Sequence, residues 1–196
     1  MPVSRSVPDV AEKRKNWNGL ISWFSASDLV FLDESGGNTD ITRRYAYSFG
    51  GSRAVDSTPL SKPKNTTILS SIQLNGTLHY TTFSGGTTVE RFKRYLETEL
   101  LPHLNGNSVL VMDNMKSHHA KAVKNLLDSS GVRYIYLPPY SPDLNPIEKL
   151  WSKVKSLLRK FKARTLDALP NAIQNAFHSV TVSDCSGWFR FCGYVL

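Results

Sequence analysis

The stretch Tyr136-Leu-Pro-Pro-Tyr-Ser-Pro-Asp-Leu-Asn-Pro-Ile-Glu148 launches a basic helix, and the fold is read outward from it. Asn145 stands where an N-cap belongs, Pro146 at the first helical position, and Glu148 three residues after the cap. Ile147, Leu150, Trp151, Val154, Leu157, Leu158 and Phe161 then recur at spacings of three and four, so one face is buried. The other faces carry Lys149, Lys153, Lys155, Arg159, Lys160 and Lys162, with Arg164 just beyond. A single acid, Glu148, thus opens a strongly basic helix. Alone it reads as a capping-box glutamate on a solvated helix.

Two further acids change that reading. Leu29-Val-Phe-Leu32 is a short apolar run that stops at Asp33-Glu-Ser-Gly-Gly37, a buried strand delivering a carboxylate to a turn. Ser108-Val-Leu-Val-Met112 is a second such strand, ending in Asp113 and Asn114. The spacing places a helix over 116–129, closed by Gly131 as a left-handed cap, and a third strand over 132–137. Earlier, 67–74 and 77–83 flank Asn75-Gly76, a strong hairpin signal. Thr88 starts a helix that Pro102 closes. After the basic helix come a helix over 166–179 and a short tail.

Residues 34–66 lack periodicity, with Tyr45, Tyr47 and Phe49 offering one short strand; a loop of that length is functional or disordered. Residues 1–27 form a basic leader, helical over about 9–25, leaning Trp17, Trp23 and Phe24 on the core of a domain over 28–196. A hairpin followed by alternating strands and helices implies an α/β domain: a mixed sheet flanked by helices. In such sheets ligands sit at the C-terminal ends of strands, where Asp33, Asp113 and Glu148 would meet.

The chain has 196 residues, enough for one domain with a substantial core, and a net charge of +8 with a pI near 9.5. That balance favours a polyanionic partner, nucleic acid before an anionic membrane surface. No apolar run approaches the roughly 20 residues of a membrane span. Cys185 and Cys192 lack the paired Cys or His ligands of a zinc site and read as buried or free thiols in a reducing compartment.

Three clustered carboxylates repel one another unless a cation intervenes. Oxygen-only ligation suits Mg²⁺ or Mn²⁺, and two such ions support in-line displacement at phosphorus. Each acid also has an ordinary role: Asp33 as a turn residue, Asp113-Asn114 as an Asx turn. Glu34 and Asp143 read as structural or solvated. Candidate DNA contacts are Lys62, Lys64, Lys116, Lys149, Lys153, Lys155, Arg159 and Lys160; Asn114 and His118 are candidates to line the site. His119 is as readily a surface residue.

The blocks Phe31-Leu-Asp-Glu-Ser-Gly36, Val111-Met-Asp-Asn-Met-Lys-Ser-His118 and Tyr136 to Trp151 resemble the catalytic blocks of mariner-like DDE transposases, above all the bacterial insertion-sequence branch. The 34 residues between Asp113 and Glu148 match the spacing of that branch, and the resemblance covers roughly residues 7–195. It implies a ribonuclease H-like fold in which Asp33, Asp113 and Glu148 bind metal, Asp33 bridging two ions. It also implies Mg²⁺-supported cleavage at element ends, attack of the freed 3′-OH on target DNA, and a preference for TA targets. Residues 34–66 fall where relatives carry a loop that clamps the partner subunit, implying a homodimer on DNA and a bacterial cytoplasmic, nucleoid-associated setting. Residues 1–27 hold none of the paired-helix pattern of a helix-turn-helix reader. A catalytic-domain chain that grips DNA mainly through phosphates is therefore expected. The rival readings are another ribonuclease H-like nuclease, such as a resolvase or an RNA–DNA hybrid nuclease, and a catalytically silent transposase-derived DNA-binding module.

Overall fold

Strict alternation along the central strands divides the core in two. The computed structural model describes residues 8–37, 48–53, 55, 65–161, 165 and 167–194. Five strands, β1 (Leu29–Gly37), β2 (Thr66–Gln73), β3 (Leu78–Ser84), β4 (Val109–Met112) and β5 (Arg133–Tyr136), form one mixed sheet in the order β3-β2-β1-β4-β5. The pairs β1–β2 and β2–β3 are antiparallel, while β1–β4 and β4–β5 are parallel. Phe31, Ile68, Ile72, Val109 and Val111 point to one face, and Val30, Leu32, Leu69, Leu110 and Met112 to the other.

The first face is covered by α4 (Ile147–Phe161), α5 (Ala168–His178) and α6 (Val182–Phe191). The second is covered by α2 (Val89–Tyr95), which continues through a π turn over Leu96–Leu100, and by α3 (Lys121–Ser130). Helix α1 (Pro8–Ile21) reaches the first cluster through Trp17, with Phe24 packed against that cluster; Trp23, expected to lean on the core, instead stands 85% exposed. The expected α/β sheet flanked by helices is therefore present. Among the described residues no helix is long and apolar enough to cross a membrane.

Several boundaries differ from the sequence reading. Strand β1 does not stop at Asp33: its parallel pairing with β4 ends at Leu32, but the antiparallel ladder with β2 continues to Gly37 opposite Thr66. Asp33 therefore lies within a strand, just past the end of the parallel pairing, and not in a turn. The helix expected from 116 begins only at Lys121, because 113–120 fold as successive turns around the Asp113 carboxylate. The hairpin closes through a three-residue loop, with Gln73 N–H bonded to the Thr77 carbonyl and Gly76 at φ 88°.

Gly131 caps α3 with φ 72°, as its position suggested. The start of α4 is a backbone cap: Glu148 N–H bonds the Asn145 carbonyl at 3.1 Å, while the buried Asn145 Oδ1 has no hydrogen-bond partner. The short tail is instead a ten-residue helix, α6, opened by a capping box between Thr181 and Asp184. Phe49 belongs to a 3₁₀ turn over Phe49–Gly51, not a strand, whereas Tyr45, Tyr47 and most of the loop expected over 34–66 lie outside the described residues.

Candidate active site

The face occupied by Leu29 and Phe31 is also the face of Asp33, two residues on, and that of Val109 and Val111 is also the face of Asp113. Both carboxylates are thus thrown toward α4, whose first turn carries Glu148. The three acids line one cavity of ≈ 540 Å³, together with Glu34, Asn114, Met115 and the Pro-rich turn from Leu137 to Pro142. Period-two strands and a helix start bring together residues 115 positions apart in sequence (148 − 33).

Asp33 is 8% exposed. Its Oδ1 accepts from Glu34 N–H at 2.7 Å and its Oδ2 from the Trp151 indole Nε1–H at 3.2 Å. Burial, reinforced by the charges of Asp113 and Glu148, drives its carboxyl up to about 7 against those two donors. Asp113 has the opposite balance. Burial pushes its carboxyl up, but His118 and the Met115 N–H outweigh that and hold it below the ordinary range. The bonds are short: His118 Nδ1 lies 2.8 Å from Asp113 Oδ1, which also accepts from Met115 N–H at 3.0 Å.

His118 is fully buried, stacked on Phe92 at 4.3 Å, and its Nε2 has no partner. That fits the Nδ1–H tautomer, with the proton aimed at Asp113. Glu148 stands on the open side, raised by desolvation, lowered by Lys155 and raised again by Asp113. Among the described residues, no group of three or more His, Cys, Asp or Glu side chains is already arranged to hold a metal ion. The donor set nonetheless fits a hard divalent cation: all-oxygen, mutually repelling, with one member buried and its carboxyl raised.

The basic residues of α4 divide. Lys155 and Arg159 follow Glu148 at seven and eleven residues and share its edge of the helix, and the charge of Lys155 reaches Glu148. Lys149 and Lys153 face α6 instead: Lys149 Nζ lies 3.8 Å over the Phe191 ring, and Lys153 bonds the Asp184 carboxylate. Lys160 and Lys116 are exposed; Lys62 and Lys64 lie outside the described residues. Asn114 lines the cavity and donates to the Leu137 carbonyl, while His119 stacks on Tyr136 at 4.1 Å.

Three supporting residues escaped the sequence reading. Trp151 read as core, although a buried indole N–H needs a partner. Asp143 read as structural or solvated, and its structural partner is Arg14 of α1, from which it accepts at 2.6 Å and which also reaches Ser141. Tyr136 donates to the His118 carbonyl at 3.1 Å. Only the indole carried a local signal, and its partner, like that of Asp143, lies far along the chain.

Residues 28–170 match the family described as DDE superfamily endonuclease, and the chain belongs to that family. It is 29% identical over 97 residues to the transposable element Tc1 transposase of Caenorhabditis elegans, an alignment spanning 47% of this chain and 36% of that protein. The Mos1 mariner paired end complex with Mn superposes with a TM-score of 0.79 at 20% identity, covering 94% of this chain and 59% of that one. The catalytic domain of Mos1 mariner transposase superposes at 0.69 with 16% identity, covering 92% and 86%. The fold is thus ribonuclease H-like, and the chain spans about a third of the Tc1 relative and three fifths of the Mos1 chain in its complex.

Proposed function

We propose that this chain is the catalytic domain of a cut-and-paste DNA transposase of the bacterial insertion-sequence branch, acting in the cytoplasm on nucleoid DNA. The supporting observation is the shared cavity in which Asp113 and Glu148 raise the cost of ionising Asp33, and Asp113 that of ionising Glu148. In this reading Asp33, Asp113 and Glu148 would hold Mg²⁺ or Mn²⁺, two ions in all, which would supply charge neutralisation for the carboxylates and Lewis-acid help to the attacking and leaving oxygens.

The protein's own residues do the rest. Trp151 and the Glu34 amide fix the orientation of Asp33, His118 that of Asp113, and the backbone cap at Asn145 that of Glu148. Asn114 lines the same wall. Lys155 and Arg159 hold the phosphodiester at the Glu148 edge, with Lys116, Lys160, Lys62 and Lys64 extending the track and Lys149 and Lys153 contributing from the α6 side. Water first cleaves at an element end and leaves a 3′-OH; that hydroxyl then attacks a target phosphodiester, forming the new bond as the target strand's own 3′ oxygen leaves. Residues 34–66 clamp a second copy, so that a homodimer holds two ends. The paired-end and strand transfer complexes solved for Mos1 are in keeping with this assembly.

Cleavage of a labelled duplex with Mg²⁺ or Mn²⁺ at low salt tests the reading. Nicking that requires metal and disappears in both Asp113→Ala and Glu148→Ala is expected, with joined products when a free 3′-OH end is supplied. Cleavage without joining would favour a plain nuclease; DNA binding with no cleavage would favour a silent module.

A further inference from the structure

Asn145 and Glu148 stand three apart at the start of α4, the spacing of a capping box, yet neither side chain takes that role. In such a box the cap side chain accepts from the N–H three residues on, whose own side chain accepts from the cap N–H. Helix α6 builds one: Thr181 Oγ1 accepts from Asp184 N–H at 3.2 Å, and Asp184 Oδ2 from Thr181 N–H at 2.8 Å. At α4 the backbone does both jobs. Glu148 N–H bonds the Asn145 carbonyl at 3.1 Å, and Asn145 N–H bonds the Pro142 carbonyl at 3.2 Å. Both side chains are thereby released, and both residues line the cavity of the three acids.

For Asn145 that release is unfavourable. The residue is 4% exposed, and its Oδ1 is buried with no hydrogen-bond partner among the described residues. A buried carbonyl left unpaired loses its hydration and gains nothing in return. The other amide on the cavity wall is engaged at both ends: Asn114 donates to the Leu137 carbonyl, and its Oδ1 lies 3.3 Å from His119 Nε2. No such bond among the described residues holds Asn145. Its amide is free to turn about χ2, a broad two-fold torsion, and to bring its oxygen to the cavity without breaking a hydrogen bond.

The neighbours decide what that oxygen meets there. Ionised carboxylates accept hydrogen bonds and donate none, so Asp33, Asp113 and Glu148 in that form cannot satisfy it. A divalent cation drawn to the acids can, because hard ions take amide carbonyl oxygens beside carboxylates. We propose that the Asn145 side chain supplies a neutral oxygen ligand, beside Glu148, to a divalent cation in this cavity; this rests on the function proposed above. A neutral oxygen strengthens the hold on the ion without adding a fourth charge to the cluster.

Mn²⁺ titration followed by electron paramagnetic resonance, together with melts in chelator, tests this on the parent chain, Asn145→Ala, Asn145→Asp and Glu148→Gln. Asn145→Ala is expected to melt no lower than the parent in chelator, because it removes an unpaired polar group and no side-chain cap. It is expected to bind Mn²⁺ about tenfold more weakly, the scale on which supporting groups at metal sites act. Asn145→Asp keeps an oxygen at that place and is expected to bind at least as tightly as the parent. In protein carrying ¹³C at its asparagine side-chain carbonyls, electron–nuclear double resonance is expected to show a coupling to bound Mn²⁺ that Asn145→Ala abolishes at saturating metal. An Ala variant that melts lower yet binds Mn²⁺ as the parent does marks a plain cap residue and overturns the proposal. Couplings that are the same in the parent and that variant overturn it too. Saturable binding by the parent, weakened in Glu148→Gln, is scored alongside: where that holds and Asn145→Ala binds normally, only the Asn145 assignment falls. Where the parent does not bind, or Glu148→Gln binds equally well, the cation-site reading falls and this proposal with it.

Discussion

Asp33 and Asp113 follow apolar strands that lie side by side, point to the same face and line the same cavity, yet their environments are opposed. Asp33 meets two neutral N–H donors and is buried, so its carboxyl is raised to about 7. Asp113 is half-exposed and backed by a histidine, so its carboxyl is held low. The lesson is that identical local patterns acquire different chemistry from what packs behind them. Here that is the α4 tryptophan on one side and the turn before α3 on the other. A carboxyl that is costly to ionise and one that ionises readily make an uneven pair.

Substitutions can break this contrast. In chelator, Asp33→Asn is expected to stabilise the fold. A carboxyl raised from 3.8 to about 7 binds more protons folded than unfolded between those values, so its contribution to stability declines as pH rises through that window. The cost at pH 7.5 is at most about 4 kcal/mol, and thermal melts of the two proteins across pH 4–8 would register it. Asp113→Asn is expected to act the other way, removing a contribution present above the ordinary carboxylate value and lost as pH falls through the lower folded one.

His118→Ala removes a buried ring stacked on Phe92 together with the donor to Asp113, and a loss of about 3 kcal/mol is expected in denaturant melts. Trp151→Phe keeps most of the packing but strips a donor from a buried oxygen. A loss of about 1–2 kcal/mol is expected, largest at high pH where Asp33 is ionised. Arg14→Ala is the smallest change, at most about 1 kcal/mol, because its pair with Asp143 is partly open to solvent.

What could be read from the chain was what is local and periodic. The hairpin at Asn75-Gly76, the cap at Gly131, the amphipathic α4 and the apolar strands ahead of Asp33 and Asp113 each carry their signal within a few residues. The acids were legible as a set because period-two strands and a helix start specify direction as well as place. Helix α6 went unread although Thr181 and Asp184 stand three apart as a capping box; its apolar spacing is weak beside that of α4. The supports were illegible for another reason: Trp151 meets Asp33 across 118 positions and Arg14 meets Asp143 across 129. Likewise, the lysines of α4 looked like one solvated face. Only the packing of α6 separates Lys149 and Lys153 from Lys155 and Arg159.

The proposed function makes Asp33, Asp113 and Glu148 one cation site. Mn²⁺ binding followed by electron paramagnetic resonance tests it most directly, on the parent chain and on Asp33→Asn, Asp113→Asn and Glu148→Gln in turn. Saturable binding to the parent, weakened by each of the three substitutions, is the result this account requires. Mn²⁺ bound equally well by all four proteins would contradict it.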